Sequence, residues 1–283
     1  MTIALSVKVH DGLVLAADSA STISGTDQDG KRTGVINVYN TASKVFNLYK
    51  GLPIGCITWG AGSIGKASIA TLAKDLRRRF SSSEPAFNRW TIHPRGYTIE
   101  AVANSVRRFF YEELYQREFE TGAKPSLGFT VAGYSAKEDL AELWLVQIND
   151  KGECPEPQLI AAKEDVGAHW QGEPEAICRI VNGYGDGLQD ALRELKVPDE
   201  QIGPAMKVIK SRLASQLITA PMPIQDAIDL ARFLVHVTIM YKRFDEGAPT
   251  VGGPIVIAAI TKHEGFRWIQ RKHYYHAKLN PRA

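Results

Sequence analysis

The sequence predicts an α+β protein in which two antiparallel sheets pack face to face and helices cover both outer faces, a four-layer αββα sandwich. Two observations lead to this prediction. Short apolar or alternating segments, which are typical of strands, occur in blocks, and segments with apolar residues at helical spacing lie between the blocks. Clusters of glycine, proline and polar residues separate the segments. Strand blocks that alternate with helix pairs bury their apolar faces in such layers.

The first half of the chain contains one strand block followed by one helix pair. The run from Thr2 to Val9 alternates in character, and the turn His10–Asp11–Gly12 leads to a second apolar run. Apolar residues then recur at helical spacing from Ile64 to Leu76. The predicted elements are strands at about 2–9, 13–18, 42–49 and 53–58, helices at about 63–80 and 98–119, and a loop over 81–96.

The second half repeats this order. Two apolar runs flank a short polar stretch from Ser135 to Asp139, which predicts a hairpin. Glycines interrupt the helical pattern that follows, and the chain ends in two further strands and a basic tail. The predicted elements are strands at about 127–134 and 140–149, a helical segment at 170–200, a helix at about 224–241, strands at about 253–261 and 265–270, and a tail over 263–283.

Composition is that of an ordinary globular protein: 283 residues, of which 44% are apolar and 23% charged. We interpret residues 1–283 as one domain with insertions near 19–43, 81–96 and 170–200. No apolar stretch approaches the ~18–20 residues that a membrane span needs, and no signal segment precedes the first strand. We therefore expect a cytoplasmic protein without a membrane partner.

The cysteines support the same expectation. Cys56, Cys154 and Cys178 are odd in number and lack metal-like spacing, so reduced thiols are expected. Cys56 stands in an apolar run, which predicts a position in the core.

The net charge of +3 is concentrated at the C-terminus. Residues 261–283 carry six Lys and Arg side chains against Glu264, which leaves this part at +5 and the remainder at about −2. We expect a solvated or inter-subunit tail, because the remainder lacks the matching basic stripe that nucleic acid would need. His273 and His276 stand at a possible metal spacing without a carboxylate or cysteine partner. We expect neither a metal nor a cofactor.

Thr2 is the most informative residue of the chain. A methionine followed by a small residue is normally trimmed in the cytosol, so we expect the mature chain to begin with threonine. That residue would carry a hydroxyl and an α-amine that titrates near pH ~7.7–8.0, close enough to neutrality to act as a general base. Threonine with its own N-terminus is a known nucleophile and base pair. The alternative is that Thr2 is merely the second residue of an edge strand.

Several motifs accompany Thr2 in a fixed order. Along the chain they are Thr2, Asp11–Gly12, Asp18, Ala42–Val45, Trp59–Gly62, Leu127–Tyr134 and Thr250–Ile255. In this order they resemble the proteasome β-subunit family, and most closely its bacterial members HslV, Anbu and the betaproteobacterial proteasome homologue. The resemblance spans roughly residues 2–262. It implies the N-terminal nucleophile hydrolase fold and the activity of a threonine-type endopeptidase.

The resemblance also implies a role for each matching residue. Thr2 would be the nucleophile and its amine the base. Lys44 would lower the pKa of that amine, and Asp18 would hold Lys44 in place. The backbone N–H of Gly60 would stabilise the oxyanion. The residues implied in substrate binding are Ser21, Thr22 and Trp59.

The family resemblance further implies the partners. The substrate would be an unfolded polypeptide or peptide, and the protein would form a homo-oligomer of two stacked rings that enclose the active sites. An unfoldase of the AAA+ class is an analogous partner. Nucleic acid is not implied.

Three departures from the family pattern keep other functions open. The stretch Trp170–Gln171–Gly172 lacks the family's serine, Ala248 and Val251 replace an Asp and a Ser, and the 19–43 segment is longer than expected. One alternative is a ring-forming assembly protein with weak or no hydrolysis. Another is an N-terminal nucleophile amidase that acts on a small non-peptide amide.

One motif competes with these interpretations. Gly60 to Lys66 matches G-x-x-x-x-G-K between a predicted strand and a predicted helix, as in a nucleotide-binding P-loop. Ala67 stands where a hydroxyl would bind Mg²⁺, so we favour a glycine turn that leads into the helix.

Overall fold

The computed structural model describes residues 2–26 and 32–272. Strands provide the centre of the structure. In chain order they are β1 (Ile3–Val9), β2 (Gly12–Ala17), β3 (Ser21–Thr26), β4 (Arg32–Tyr39), β5 (Val45–Asn47), β6 (Ile54–Gly60), β7 (Ser63–Ile64), β8 (Ala67–Ser68), β9 (Leu127–Gly133), β10 (Glu142–Ile148), β11 (Gln158–Ala161), β12 (Gly167–Gly172), β13 (Val256–Thr261) and β14 (Gly265–Gln270).

In the described residues the helices occupy two parts of the chain, one between β8 and β9 and one between β12 and β13. The first two begin at hydroxyl N-caps, where the side chains of Ser68 and Thr98 accept backbone N–H groups of the first turn. In chain order the helices are α1 (Ile69–Phe80), α2 (Ile99–Arg107), which continues through a π-helical stretch (Arg108–Tyr115) into α3 (Gln116–Glu118), then α4 (Glu175–Val181), α5 (Leu188–Glu194), α6 (Asp199–Leu213) and α7 (Ile224–Phe244). None of the helices in the described residues is both long and apolar enough to span a membrane.

Two five-stranded antiparallel sheets form the inner layers. The first has the strand order β12-β1-β2-β13-β14 and the second β11-β10-β9-β6-β5. One apolar cluster, which includes Leu15 and Leu143, lies between the sheets. A second packs α1 and α2 on the β9 sheet, and a third packs α4 and α7 on the β1 sheet. The predicted αββα sandwich is confirmed.

Both faces of the central strands are buried, which explains their nearly continuous apolar sequences. In β1, Leu5 and Val7 pack towards the helices while Ala4 faces the other sheet. In β2, Val14 and Leu15 divide in the same way. Alternate side chains of each strand therefore pack into two different apolar layers, and every residue of β1 and β2 is buried.

The structure corrects three sequence predictions and contains strands that were not predicted. The predicted helix over 63–80 begins only at Ile69, because 63–68 form the small β7–β8 hairpin. The predicted strand at 42–49 shortens to β5. The 170–200 segment is not wholly helical, since β12 extends into it to Gly172, and β11 was not predicted. The short β11 and the partly polar β12 form strands because they pair with β10 and β1, partners that a local pattern does not reveal.

Most of the 19–43 segment forms a two-stranded hairpin, β3 paired with β4. Several of its large apolar side chains are exposed to solvent: Ile36 is 71% exposed and Tyr39 is 56% exposed. The hairpin is continuous in sequence with two catalytic candidates, since Asp18 precedes it and Lys44 follows it.

We expect Leu15→Ala to lower the free energy of unfolding by roughly 3–5 kcal/mol, because Leu15 is 0% exposed between the two sheets and its removal leaves a cavity there. Ile36→Ala, at an exposed aliphatic residue of the hairpin, serves as the control and should stay within about 0.5 kcal/mol of the wild type. Urea unfolding measures both. Equal losses in the two variants would contradict the packing described above.

Candidate active site

A buried carboxylate forms the centre of the candidate site. Asp18 lies directly after β2 and is 0% exposed. Its Oδ1 accepts from Lys44 Nζ at 2.6 Å and from the Ile3 N–H at 3.1 Å. Its Oδ2 accepts from the N–H groups of Ala20 at 3.0 Å and Gly252 at 3.1 Å. Four donors compensate for the lost hydration of the carboxylate, and together they tie four separate segments to one side chain.

Lys44 is held at both its backbone and its side chain. Its carbonyl accepts from the Thr58 N–H at 2.9 Å, which fixes it beside β6, and its ammonium is paired with Asp18. Burial lowers the pKa of Lys44, and the charge of Asp18 and the hydrogen bond to it oppose that shift without cancelling it. The ion pair is therefore well shielded from water, with the Lys44 side chain only 8% exposed.

Thr2 lies beside this ion pair. It is 6% exposed and stands immediately before β1. The Ile3 N–H that donates to Asp18 Oδ1 belongs to the Thr2–Ile3 peptide, and the same oxygen accepts Lys44. The Lys44 ammonium thus lies within two hydrogen-bond lengths of that peptide. The structure brings Thr2, Asp18 and Lys44 together, while Met1, whose removal is predicted, lies outside the described residues.

Gly172 is pressed against the nucleophile candidate. It ends β12 opposite Ile3, and the following N–H, from Glu173, donates to the Thr2 carbonyl at 2.8 Å. Its φ is +96°, and a Cβ there would stand 1.8 Å from the Thr2 carbonyl oxygen. Only glycine fits this position. The stretch matched to the family's serine-containing turn therefore does lie next to Thr2.

Gly60 ends β6 on the side of the site. Successive N–H groups of a strand alternate in direction, so the Gly60 N–H lies on the same side of β6 as that of Thr58, the side of Lys44. The Ala61 N–H points the other way and donates to Ser126 at 2.9 Å. Gly60 has a φ of +88°, and a Cβ would meet the Ser126 carbonyl at 2.4 Å. The oxyanion role of the Gly60 N–H stays a prediction.

The predicted substrate-binding residues occupy two different places. Ser21 begins β3, and a Cβ at Gly62 would stand 3.4 Å from its hydroxyl, so the start of β3 faces the Gly60–Gly62 turn. Thr22 follows in β3 opposite Val38. Trp59 instead packs its indole over Gly128 and against the cluster between the sheets, where it fixes the end of β6. Substrate contact by these three residues stays a prediction.

The structure shows the surroundings of two positions, Val251 and Gln171, at which the sequence departs from the family pattern. Val251 packs in the apolar layer between the β1 sheet and the helices. Gln171 pairs with Ala4 in β1, one residue from the Thr2 contact. The hydroxyl that the family resemblance implies is thus absent at both places.

Sequence reasoning missed Lys272, which follows β14. Its Nζ donates to the Ser19 hydroxyl at 3.0 Å and to the Ala42 carbonyl. Burial, and then the positive charge of Lys44, lower the pKa of Lys272 to about 8, against an opposing effect of Asp18. Lys272 is therefore held by its own chain, and the rest of the predicted tail, 273–283, lies outside the described residues. No local sequence signal identifies Lys272, because its position depends on the register of the sheet.

Nucleotide binding at Gly60–Lys66 is not supported. A P-loop needs a helix that starts at the end of the glycine turn, with its N–H groups aimed at the phosphates. Here the β7–β8 hairpin intervenes, and α1 begins at Ile69. In the described ranges no His, Cys, Asp and Glu side chains group into a metal site, and His273 and His276 lie outside them. The three cysteines are free, and Cys56 is buried as predicted.

Solved structures identify the fold. No family model matches the chain, and no curated protein matches it either. The structure of the helical assembly of the Anbu complex from Pseudomonas aeruginosa matches 98% of this chain and 90% of its own, at 16% identity and a TM-score of 0.53. The chain has the Anbu fold. A Gly-1 mutant of Anbu from Hyphomicrobium sp. strain MC1 matches 96% of this chain and 86% of its own, at 17% identity and a TM-score of 0.51. At the level of the fold, the resemblance to the bacterial proteasome-like proteins is confirmed.

We expect Asp18→Asn to lower the free energy of unfolding by roughly 3–5 kcal/mol near pH 7, because it leaves the buried Lys44 ammonium without a counter-charge. In the Asp18→Asn background, adding Lys44→Met should cost less than Lys44→Met does alone, by on the order of 1–3 kcal/mol. Urea unfolding of the four proteins gives this coupling, and strictly additive losses would contradict it.

The same variant should show a defined pH dependence. Burial already lowers the pKa of Lys44, and loss of Asp18 removes the charge that opposes this shift. The folded variant then releases the Lys44 proton at a lower pH than the unfolded chain does. Its stability deficit should therefore shrink as the pH rises towards the pKa of a free lysine.

We expect Gly172→Ala to displace Thr2, since its Cβ would overlap the Thr2 carbonyl oxygen. The predicted loss is roughly 1–3 kcal/mol of stability, with faster exchange of the Glu173 amide proton that donates to this carbonyl. Gly96→Ala is the control, since a Cβ there meets nothing within 4 Å and its φ is ordinary. Unchanged stability and exchange in Gly172→Ala would refute the close contact.

Proposed function

We propose that the protein is a threonine-type endopeptidase with Thr2 as an N-terminal nucleophile. One observation carries the proposal: a single oxygen of the buried Asp18 holds both the Lys44 ammonium and the peptide that follows Thr2. A buried Lys–Asp pair is costly to maintain in a fold. This pair lies beside Thr2, which would become the N-terminal residue after Met1 is removed. A catalytic role would explain why so costly a pair is present there.

The chemistry proceeds from the residues around Thr2. After Met1 is removed, the Thr2 amine accepts the proton of the Thr2 hydroxyl, whose oxygen attacks the scissile carbonyl carbon. The Gly60 N–H donates to the resulting oxyanion. The amine then returns the proton to the leaving amine, which breaks the C–N bond and leaves an acyl ester on Thr2. Water, deprotonated by the same amine, hydrolyses the ester.

Electrostatics support a neutral amine in this mechanism. A positive charge disfavours protonation of a nearby amine, so the cationic Lys44 would lower the pKa of the Thr2 amine from its ordinary value near ~7.7–8.0. Asp18 supports the same role, because its charge and hydrogen bond oppose the effect of burial on Lys44.

We infer that an extended peptide would bind along the start of β3. The start of β3, at Ser21 and Thr22, faces the Gly60–Gly62 turn. A peptide laid along β3 would add a strand and present its carbonyl to Gly60. The absence of a side chain at Gly62 leaves room beside the Ser21 hydroxyl.

We further propose a homo-oligomer in the cytoplasm. The Anbu complex from Pseudomonas aeruginosa forms a helical assembly, and this chain shares its fold. An open helical arrangement is thus as relevant for this chain as two stacked rings. The free thiols are compatible with a reducing compartment.

The second candidate is an assembly protein with little hydrolysis. It is favoured by Val251, which buries a valine in the apolar layer where the family pattern would provide a hydroxyl. Thr2, Asp18 and Lys44 would then be remnants of a catalytic site. The small-amide hydrolase uses the same residues and differs only in its substrate.

The intact mass before and after exposure to a peptide epoxyketone tests the proposal. This reagent closes a ring only with the free amine and the adjacent hydroxyl of an N-terminal threonine. We expect loss of Met1 and one adduct per chain, and no adduct in Thr2→Ala. Loss of Met1 without an adduct would favour the assembly protein, and a retained methionine would mean that the site is inactive until processed. Turnover of small amides but not of peptides would favour the amidase.

A further inference from the structure

We propose that Lys272 is a positioning residue of the active site, which clasps the two ends of the 19–43 segment and so fixes Asp18 and Lys44. The inference rests on the proposed function and extends the site to the C-terminal part of the chain. Lys272 contacts Ser19, the neighbour of Asp18, and Ala42, two residues before Lys44.

The register of the first sheet explains why Lys272 lies beside Ser19 and Ala42. Strands β2 and β14 both pair antiparallel with β13, so they run in the same direction. Ala16 of β2 and Gln270 of β14 are both opposite Ile257. The residue two positions after Gln270 therefore comes level with the residue two positions after Ala16. These residues are Lys272 and Asp18.

The contacts form a closed network. The Ser19 hydroxyl donates to the Pro254 carbonyl at 2.6 Å, which leaves its lone pairs to accept from Lys272 at 3.0 Å. The Ala42 N–H donates to the Ser19 carbonyl at 2.9 Å, and the Ser19 N–H donates to Gly252 at 2.9 Å. Lys272 closes this network by joining Ser19 to the Ala42 carbonyl. Both ends of the hairpin-bearing segment are thereby fastened to the sheet.

Lys272 also sets the charge of the site. The charged groups that act on it are Lys44 and Asp18, and the neighbouring Arg271 lies over the Trp268 ring, 4.7 Å from its centroid. Asp18 and Lys44 neutralise each other, so Lys272 supplies the excess positive charge. Because its pKa is about 8, this charge is present at neutral pH and is lost as the pH rises through that value.

Amide hydrogen exchange tests the clasp without any need for activity. In Lys272→Met, the amide protons of Ser19 and Ala42 should exchange about tenfold faster, since their acceptors belong to the network that Lys272 closes. Lys272→Arg, which retains the charge and can donate to two acceptors, should restore most of the protection. Lys262→Met is the matched control, because Lys262 pairs with Asp139 at the surface. Amides of β10 should be unaffected in all variants.

The pH profile of peptide hydrolysis separates positioning from simple packing. Loss of the Lys272 charge should raise the pKa of the Thr2 amine and move the acid limb of kcat/KM upward by roughly 0.5 pH unit. Lys272→Arg should return it towards the wild-type position. If Lys272 made only a structural contact, Lys272→Met would instead lower kcat/KM by the same factor at every pH and would leave the acid limb in place.

The two proposals can fail separately. If the wild type loses Met1 and still forms no epoxyketone adduct, the proposed function fails, and the exchange experiment still tests the clasp. Equal protection of Ser19 and Ala42 in wild type and Lys272→Met would overturn the clasp. If Lys272→Met showed faster amide exchange but kept the acid limb of kcat/KM at the wild-type pH, the positioning role would be overturned.

Discussion

The buried carboxylate of Asp18 is the interaction on which the site depends. One side chain accepts from the start of β1, from the turn after β2, from Lys44 before β5 and from the loop before β13. Two of these four donors, on Ala20 and Lys44, lie at the ends of the 19–43 segment. A carboxylate suits this role because its two oxygens together accept four donors, whereas an amide of the same size has only one accepting oxygen.

Close approach of backbone to backbone is the second constraint. Gly172 lies against the Thr2 carbonyl, and Gly60 lies against Ser126, in each case at a distance that excludes a Cβ. Both glycines have positive φ, so the strands β12 and β6 end with a change of direction at the site. Side chains supply the charge of the site, but the absence of two side chains sets its geometry.

The sequence predicts those parts of the molecule that depend on local patterns. The nearly continuous apolar runs of β1, β2 and β9 are visible because each strand is buried on both faces, and the order of motifs around Thr2 points to Asp18 and Lys44 as candidates. The pattern does not reveal the short β11 and the partly polar β12, which become strands by pairing with β10 and β1. It also fails at 63–68, where apolar spacing continues through a hairpin into α1. Lys272 is hidden for a related reason, since its neighbours are set by the register of three strands.

The balance of charges explains why two lysines accompany one carboxylate. The Asp18–Lys44 pair is neutral overall, so Asp18 partly offsets the effect of the Lys44 charge on the pKa of the proposed Thr2 amine. A second cation, Lys272, would lower that pKa further and favour the neutral, basic form of the amine. The cost is a partly buried ammonium, which burial and Lys44 already destabilise. The Ser19 hydroxyl and the Ala42 carbonyl offset that cost, because both present oxygen acceptors to Lys272 where water would otherwise solvate it.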